Sequence, residues 1–275
     1  MPKPSFVCAI VIPTYKAILE NAELSSISQS FKKLSNFHFY IVCPYHLDVA
    51  FYELLAKKFK VSLKIIRFNN KYFSSVMGYN QLLISINFFK KFIDYKFILI
   101  CQLDVWIFKS DLVHWCNKNY DYIGAPWFHK MEDNQLVFNA VGNGGLSLRN
   151  VASHIKVLKS FSFITKPGYL IYLLKSNPSI KRLIDVIIGV TFKNNTYYLL
   201  NNFQENEDMF WSIIARRNFP WFEIAPKELA LKFSIEMYPS SFIKTEDDLP
   251  FGCHAWLKYE PYFWKKFINY DIIAK

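Results

Sequence analysis

The sequence predicts an α/β fold, a mixed and mostly parallel sheet flanked by helices on both faces. Three observations carry that prediction. Residues 6–12 (FVCAIVI) and 97–103 (FILICQL) are apolar almost without a break, as strands buried on both faces are. Strand-like and helix-like segments alternate through the first hundred residues. The strand-like runs end in turn or polar residues, where open parallel sheets bind ligands.

The elements follow in order. Residues 6–12 form the first strand, ended by Pro13-Thr14-Tyr15, and residues 21–34 read as a helix. Residues 37–42 are a second strand closed by Cys43-Pro44, 47–59 a helix, and 62–67 a third strand. Residues 74–92 read as one long amphipathic helix leading into the strand 97–103, which runs into Asp104. Further on, 121–125 is a short strand, 137–148 a strand-like stretch holding a Gly-rich turn, 206–216 a helix and 221–225 a strand. The chain reads as one domain over residues 1–275, with an N-terminal half to about 130 and a C-terminal half beyond it. The segment 168–195 interrupts the core pattern. It mixes apolar runs (YLIYLL, LIDVIIGV) with basic residues and reads first as an inserted helical pair, second as a lid or lipid-facing patch.

Composition narrows the function. Of 275 residues, 52% are apolar, enough for a sizeable core, and 19% are aromatic, more than such a core requires. Lysine and arginine number 33 against 22 acids, a net charge of +11. That excess suits nucleic acid, anionic lipid or a phosphorylated small molecule. No zinc finger, homeodomain or RNP pattern accompanies it, so nucleic acid ranks last. Five cysteines, an odd number without a CxxC pair, read as small buried hydrophobes in a reducing compartment. The start Met1-Pro2-Lys3-Pro4 lacks signal-peptide anatomy, and no apolar run reaches spanning length, which predicts a cytoplasmic protein.

Four places carry candidate chemistry. Asp104 ends a buried strand and precedes further apolar residues, where a carboxylate is costly unless paired or bound to a cation. The stretch 141–148 (VGNGGLSL) places three glycines and Asn143 in a strand context, as a bulge or a close approach would. Glu207 and Asp208 open an apolar helical stretch; one acid satisfies the helix start and the other is free to act as a base. His254 stands in an aromatic, turn-rich setting (FGCHAW), and its neighbour Cys253 points the other way in an extended chain.

Their order, strand-PTY, strand-LD, GNGG, Glu-Asp before a helix and a late histidine, resembles the GT-A class of nucleotide-sugar glycosyltransferases. More closely, Tyr79-Asn80-Gln81-Leu82, Gln102-Leu103-Asp104-Val105-Trp106, Asp121-Tyr122-Ile123-Gly124-Ala125-Pro126-Trp127, the 141–148 stretch and residues 250–256 resemble the bacterial family DUF5672, over roughly residues 5–268. The resemblance implies a GT-A-like fold and transfer of a sugar from a nucleotide-diphosphate donor, a UDP-sugar first, to a glycan or lipid-linked glycan. It implies that Asp104-Val105-Trp106 stands where such enzymes carry a metal-binding DxD motif, with tryptophan in place of the second acid. It further implies a divalent cation, Mn2+ or Mg2+, held by Asp104 and His254; Asp208, with Glu207 beside it, as the catalytic pair; and Pro13, Thr14, Tyr15, Asn80, Asp104, Trp106, Asn143, Gly144 and Gly145 around the donor. Lys71 and Lys258 are the fallback cations should no metal bind. A nucleotidyltransferase is disfavoured because the loop after the first strand has no glycine. A non-catalytic glycan- or lipid-binding protein is the other alternative. The run 259–273 alternates aromatic and basic residues and is the first candidate for contact with an anionic membrane on its inner face.

Overall fold

The computed structural model describes residues 4–164, 168, 172, 175, 179–188 and 193–269. Its centre is a six-stranded sheet. Strands β1 (Phe6–Pro13), β2 (His38–Pro44), β3 (Ser62–Phe68) and β4 (Tyr95–Cys101) are parallel, and β1 lies between β2 and β4. The short strands β5 (Trp106–Ile107) and β6 (Tyr122–Ile123) follow, then the antiparallel hairpin β7 (Pro126–Lys130) and β8 (Leu136–Val141), then β9 (Leu146–Asn150). β9 runs antiparallel between β4 and β6, giving the order β3-β2-β1-β4-β9-β6.

Alternation along β1 sorts its side chains into two cores. Cys8, Ile10 and Ile12 face a layer with α1 (Asn21–Lys33), α2 (Ala50–Phe59) and, later in the chain, the helix Leu112–Asn117. Ala9 and Val11 face the opposite layer, with α3 (Val76–Leu83), α4 (Ile86–Lys90) and the helix Val151–Lys159. The predicted helices on both faces are therefore present. A third, smaller core forms around Trp106, Trp256 and Trp264, where β5 pairs with β11 (Gly252–Cys253), itself paired with β10 (Ser234–Ile235).

Three local expectations are corrected. The helix expected over 74–92 is two helices, because the Ser85 hydroxyl accepts the Phe88 N–H and starts a new helix inside the run. The strand expected over 221–225 is reduced to a bridge between Ile224 and Tyr122. The expected strand-like stretch 137–148 is two strands of different sheets, β8 and β9, joined by Gly142–Gly145. All five cysteines are buried free thiols. The insertion near 168–195 and the run 259–273 lie partly outside the described residues, and Met1-Pro2-Lys3 wholly so. Among the described residues no helix is long and apolar enough to cross a membrane.

Candidate active site

The chain order reverses between β1 and β4, so their connections leave in opposite directions and open a crevice at their carboxyl ends. A cavity of about 570 Å³ occupies that crevice. Pro13, Thr14, Tyr15 and Lys16 line it from β1, and Gln102, Leu103 and Asp104 from β4. Ser75, Val76 and Tyr79 close it from α3 and its start. The Thr14 hydroxyl is held by the Tyr52 hydroxyl at 3.0 Å, and the Lys16 ammonium by Glu23 at 2.6 Å. Tyr15 is left 64% exposed, a free aromatic face at the rim.

At the β4 end a polar chain leads inward. The Gln102 amide donates to the Tyr79 hydroxyl at 3.0 Å, and its oxygen faces His254 Nε2 at 3.1 Å. Asp104 Oδ1 meets the same Nε2 at 3.2 Å, while Glu236 Oε1 meets Nδ1 at 3.2 Å. Burial works against charge on this ring, yet its bonds to Asp104 and Glu236 prevail and lift the imidazolium to about 9. Burial would raise Asp104, but the His254 bond and the nearby Lys258 ammonium hold it below the usual carboxylate range.

The turn between β8 and β9 joins this cluster to a second. A side chain on Gly145 would start 2.2 Å from His254 Nε2, and one on Gly144 would start 2.2 Å from Glu207 Oε1. Only glycine permits both approaches. The Gly144 N–H donates to Asp208 Oδ2 at 3.1 Å. Asp208 Oδ1 is buried without a hydrogen-bond partner. Burial and the adjacent Glu207 charge raise the Asp208 carboxyl to about 6, against smaller opposing effects of Gly144 and Arg149. Asp104 and His254 thus touch directly, and Asp208 stands on the other side of the same two glycines.

Glu207, expected beside Asp208 as a catalytic acid, is fully engaged elsewhere. Both its oxygens bind the Arg149 guanidinium, at 2.7 and 2.8 Å, and the two side chains are 4% and 0% exposed. Arg149 also donates to Ser147 Oγ, whose hydroxyl donates to the Gly144 carbonyl. The pair therefore fixes the glycine turn to the start of the Asp208 helix. Beyond Glu207–Met209 that helix widens into a π-helical stretch, Phe210–Ala215, of the kind that recurs at functional sites.

Other expected residues fall differently. Asn80 is buried and accepts the Glu207 N–H, so its amide oxygen anchors the helix rather than lining the cavity. Asn143 is buried, with φ of 51° and its side chain bonded to the Gly145 N–H. Trp106 points into the third core, 4% exposed and packed edge-on to Trp256. Side chains alternate across an extended chain, so Gln102 and Asp104 share a face, and Gln102-Leu103-Asp104 is the pattern that meets the histidine. Sequence reasoning missed Gln102, Arg149 and Glu236. Gln102 was legible as the residue two before Asp104; for the other two the sequence carried no signal. Lys71 lies over the Tyr72 ring and does not line the cavity.

The donor set here has the character a divalent cation needs. Asp104 Oδ1, His254 Nε2 and Gln102 Oε1 converge within 3.1–3.2 Å contacts, and Glu236 holds the far ring nitrogen as carboxylates do behind metal-bound histidines. The set fits a hard cation completed by diphosphate oxygens, provided His254 gives up its proton. Among the described residues no group of three or more His, Cys, Asp or Glu side chains is placed to hold a metal ion, so the protein would offer one carboxylate, one imidazole and one amide oxygen.

A model of the family described as "Protein of unknown function (DUF5672)" matches residues 62–254. No curated protein matches the chain. Among solved structures, the glycosyltransferase GlyE of Streptococcus pneumoniae TIGR4 is similar at 11% identity and a TM-score of 0.49, over 98% of this chain and 62% of that one. TarS 1–349 of S. aureus in complex with UDP-GlcNAc is similar at 14% identity and a TM-score of 0.34, over 54% of this chain and 46% of that one. Core-mannan synthase A of Aspergillus fumigatus, in its Mn/GDP form, is similar at 9% identity and a TM-score of 0.40, over 55% and 62%. This chain spans less than two thirds of the length of each. None of these scores reaches 0.5.

Proposed function

The chain belongs to the DUF5672 family, and from its crevice we propose that it is a GT-A-like glycosyltransferase taking a nucleotide-diphosphate sugar, a UDP-sugar first, to a glycan or lipid-linked glycan acceptor. One observation carries the reading. A cavity at the sheet's switch point ends in the Gln102–Asp104–His254 cluster, and two glycines away stands a carboxylate whose proton leaves near neutrality.

In this reading Pro13, Thr14 and Tyr15 take the nucleoside, with the exposed Tyr15 ring against the base. The diphosphate lies toward Asp104, His254 and Lys258. A divalent cation bound by Asp104, His254 and Gln102 would supply charge neutralisation of the departing diphosphate. Glu236 orients the histidine for that duty. Asp208, ionised above about pH 6, accepts the acceptor's hydroxyl proton through its unpartnered Oδ1 as that oxygen attacks the anomeric carbon, with inversion. Glu207 is a positioning residue here: with Arg149 it sets where Asp208 stands. The N-terminal half, to about residue 130, binds the donor, and the remainder shapes the acceptor side.

The test is a panel of nucleotide sugars with and without manganese, read as release of nucleoside diphosphate, in wild type and Asp208→Asn. Release by wild type and its loss in Asp208→Asn, with donor binding retained, supports the reading. An Asp208→Asn chain of near wild-type rate removes the base, and NMR of the product's anomeric configuration separates inversion from retention.

A further inference from the structure

We propose that a second cavity, separate from the donor crevice, binds an anionic group, a phosphate or a carboxylate, carried by the acceptor. That the group is the acceptor's rests on the transfer reading above; the anion site does not. The cavity, of about 520 Å³, lies between β8 and the helix that follows Asp208. It shares no lining residue with the crevice at β1 and β4.

Its position ties it to the carboxylate assigned as the base. One wall is β8 as far as Val141, and the next residues form the glycine turn that holds Asp208. On the other wall stand Ser212 and Arg216, four and eight residues beyond Asp208 on one continuous helical run. At roughly 1.5 Å per residue they lie about 6 and 12 Å from it along the axis. An acceptor with its hydroxyl at Asp208 can therefore place a neighbouring group in this cavity.

The lining chooses the charge of that group. Arg216, Arg217 and Lys227 line the cavity, and no acid does. Arg217 spends two N–H groups on Asn218 and the Ile164 carbonyl, and Lys227 pairs at the surface with Glu228 at 3.5 Å. Among the described residues the Arg216 guanidinium has no ion pair or hydrogen bond. Its planar fork of N–H donors matches the oxygens of a phosphate or carboxylate. Independently, Ser212 is only 4% exposed and its hydroxyl is buried without a hydrogen-bond partner. Such a hydroxyl costs stability in the free chain, and an arriving oxyanion gives it an acceptor. Phe138 and Ile213, both part-exposed, add an apolar wall, which suits an organic body behind the charge rather than a bare ion. A nucleic acid or a bilayer would meet cations spread over an open face, whereas these gather at one concavity.

The experiment is calorimetric titration of the full chain with glucose 6-phosphate, glucuronate and glucose, with UDP as a parallel ligand. At least one of the two anions is expected to bind, more weakly at high salt, and glucose is not. Arg216→Gln/Lys227→Gln and Ser212→Ala are each expected to weaken anion binding at least tenfold and to leave UDP affinity unchanged. Ser212→Ala should do so without a lower melting temperature, because its hydroxyl bonds nothing in the free chain. Absence of binding by both anions, equal binding of glucose, or anion binding that either variant leaves untouched would overturn the proposal. UDP binding without anion binding would sink this site and spare the donor reading. Anion binding lost in both variants by a chain that binds no UDP would support the site and remove the transfer reading.

Discussion

Replacing Asp208 by asparagine sets activity and stability against each other. The carboxyl is raised from 3.8 to about 6, chiefly by burial and then by Glu207. A raised carboxyl means that folding penalises the ionised form. The unfolded chain loses this proton near 3.8 and the folded one near 6, so the penalty grows across that window and is full above it. At ~1.4 kcal/mol per unit the ceiling is ~3 kcal/mol. Partial exposure reduces this to roughly 1–2 kcal/mol. Asparagine keeps an oxygen for the Gly144 N–H and carries no charge. Urea unfolding should therefore show Asp208→Asn more stable than wild type at pH 8, with the gain shrinking toward pH 4, while turnover falls about 10²–10⁴-fold. A variant less stable than wild type at pH 8, or equally stabilised at both pH values, would refute the reasoning.

The remaining predictions concern the same crevice. The wild-type rate should fall as pH drops through about 6, as Asp208 takes up its proton; a profile flat from pH 8 to 5 contradicts the assignment. Glu236→Gln removes one of the two carboxylates holding the imidazolium, so the His254 titration, followed by NMR, should move down from about 9 by a unit or more. Arg149→Met strands Glu207 in the interior and should cost about 3–5 kcal/mol in denaturant unfolding, of which Arg149→Met/Glu207→Leu recovers a large part. Gly145→Ala forces His254 aside, and its rate should drop while the unfolding midpoint shifts by about 1–3 kcal/mol.

The sheet was legible because its strands are buried on both faces. Residues 6–12 and 97–103 have no polar side to confuse their reading, and β1 and β4 indeed pair at the centre. The helix over 74–92 was misread because hydrophobic periodicity continues across Ser85, and a serine inside such a run does not declare that its hydroxyl caps the next helix. Asp104, Asp208 and His254 stood out as polar groups in apolar surroundings, and Asp104 and His254 prove to be partners 150 residues apart. Asn80 and Trp106 stood in equally suggestive contexts, but one caps a helix and the other fills a core, uses that a linear pattern does not separate. Arg149 was hidden altogether. An arginine in a strand reads as solvent-facing, and its burial makes sense only once Glu207, 58 positions on, is seen beside it.

The most direct measurement is calorimetric titration of UDP into wild type, Asp104→Ala and Tyr15→Ala, with and without manganese. If the crevice between β1 and β4 seats a nucleoside diphosphate, wild type binds it with one-to-one stoichiometry and both variants bind it at least tenfold more weakly, about 1.4 kcal/mol or more. No binding of UDP or any other nucleoside diphosphate by wild type, or binding untouched by either variant, would place the chemistry elsewhere.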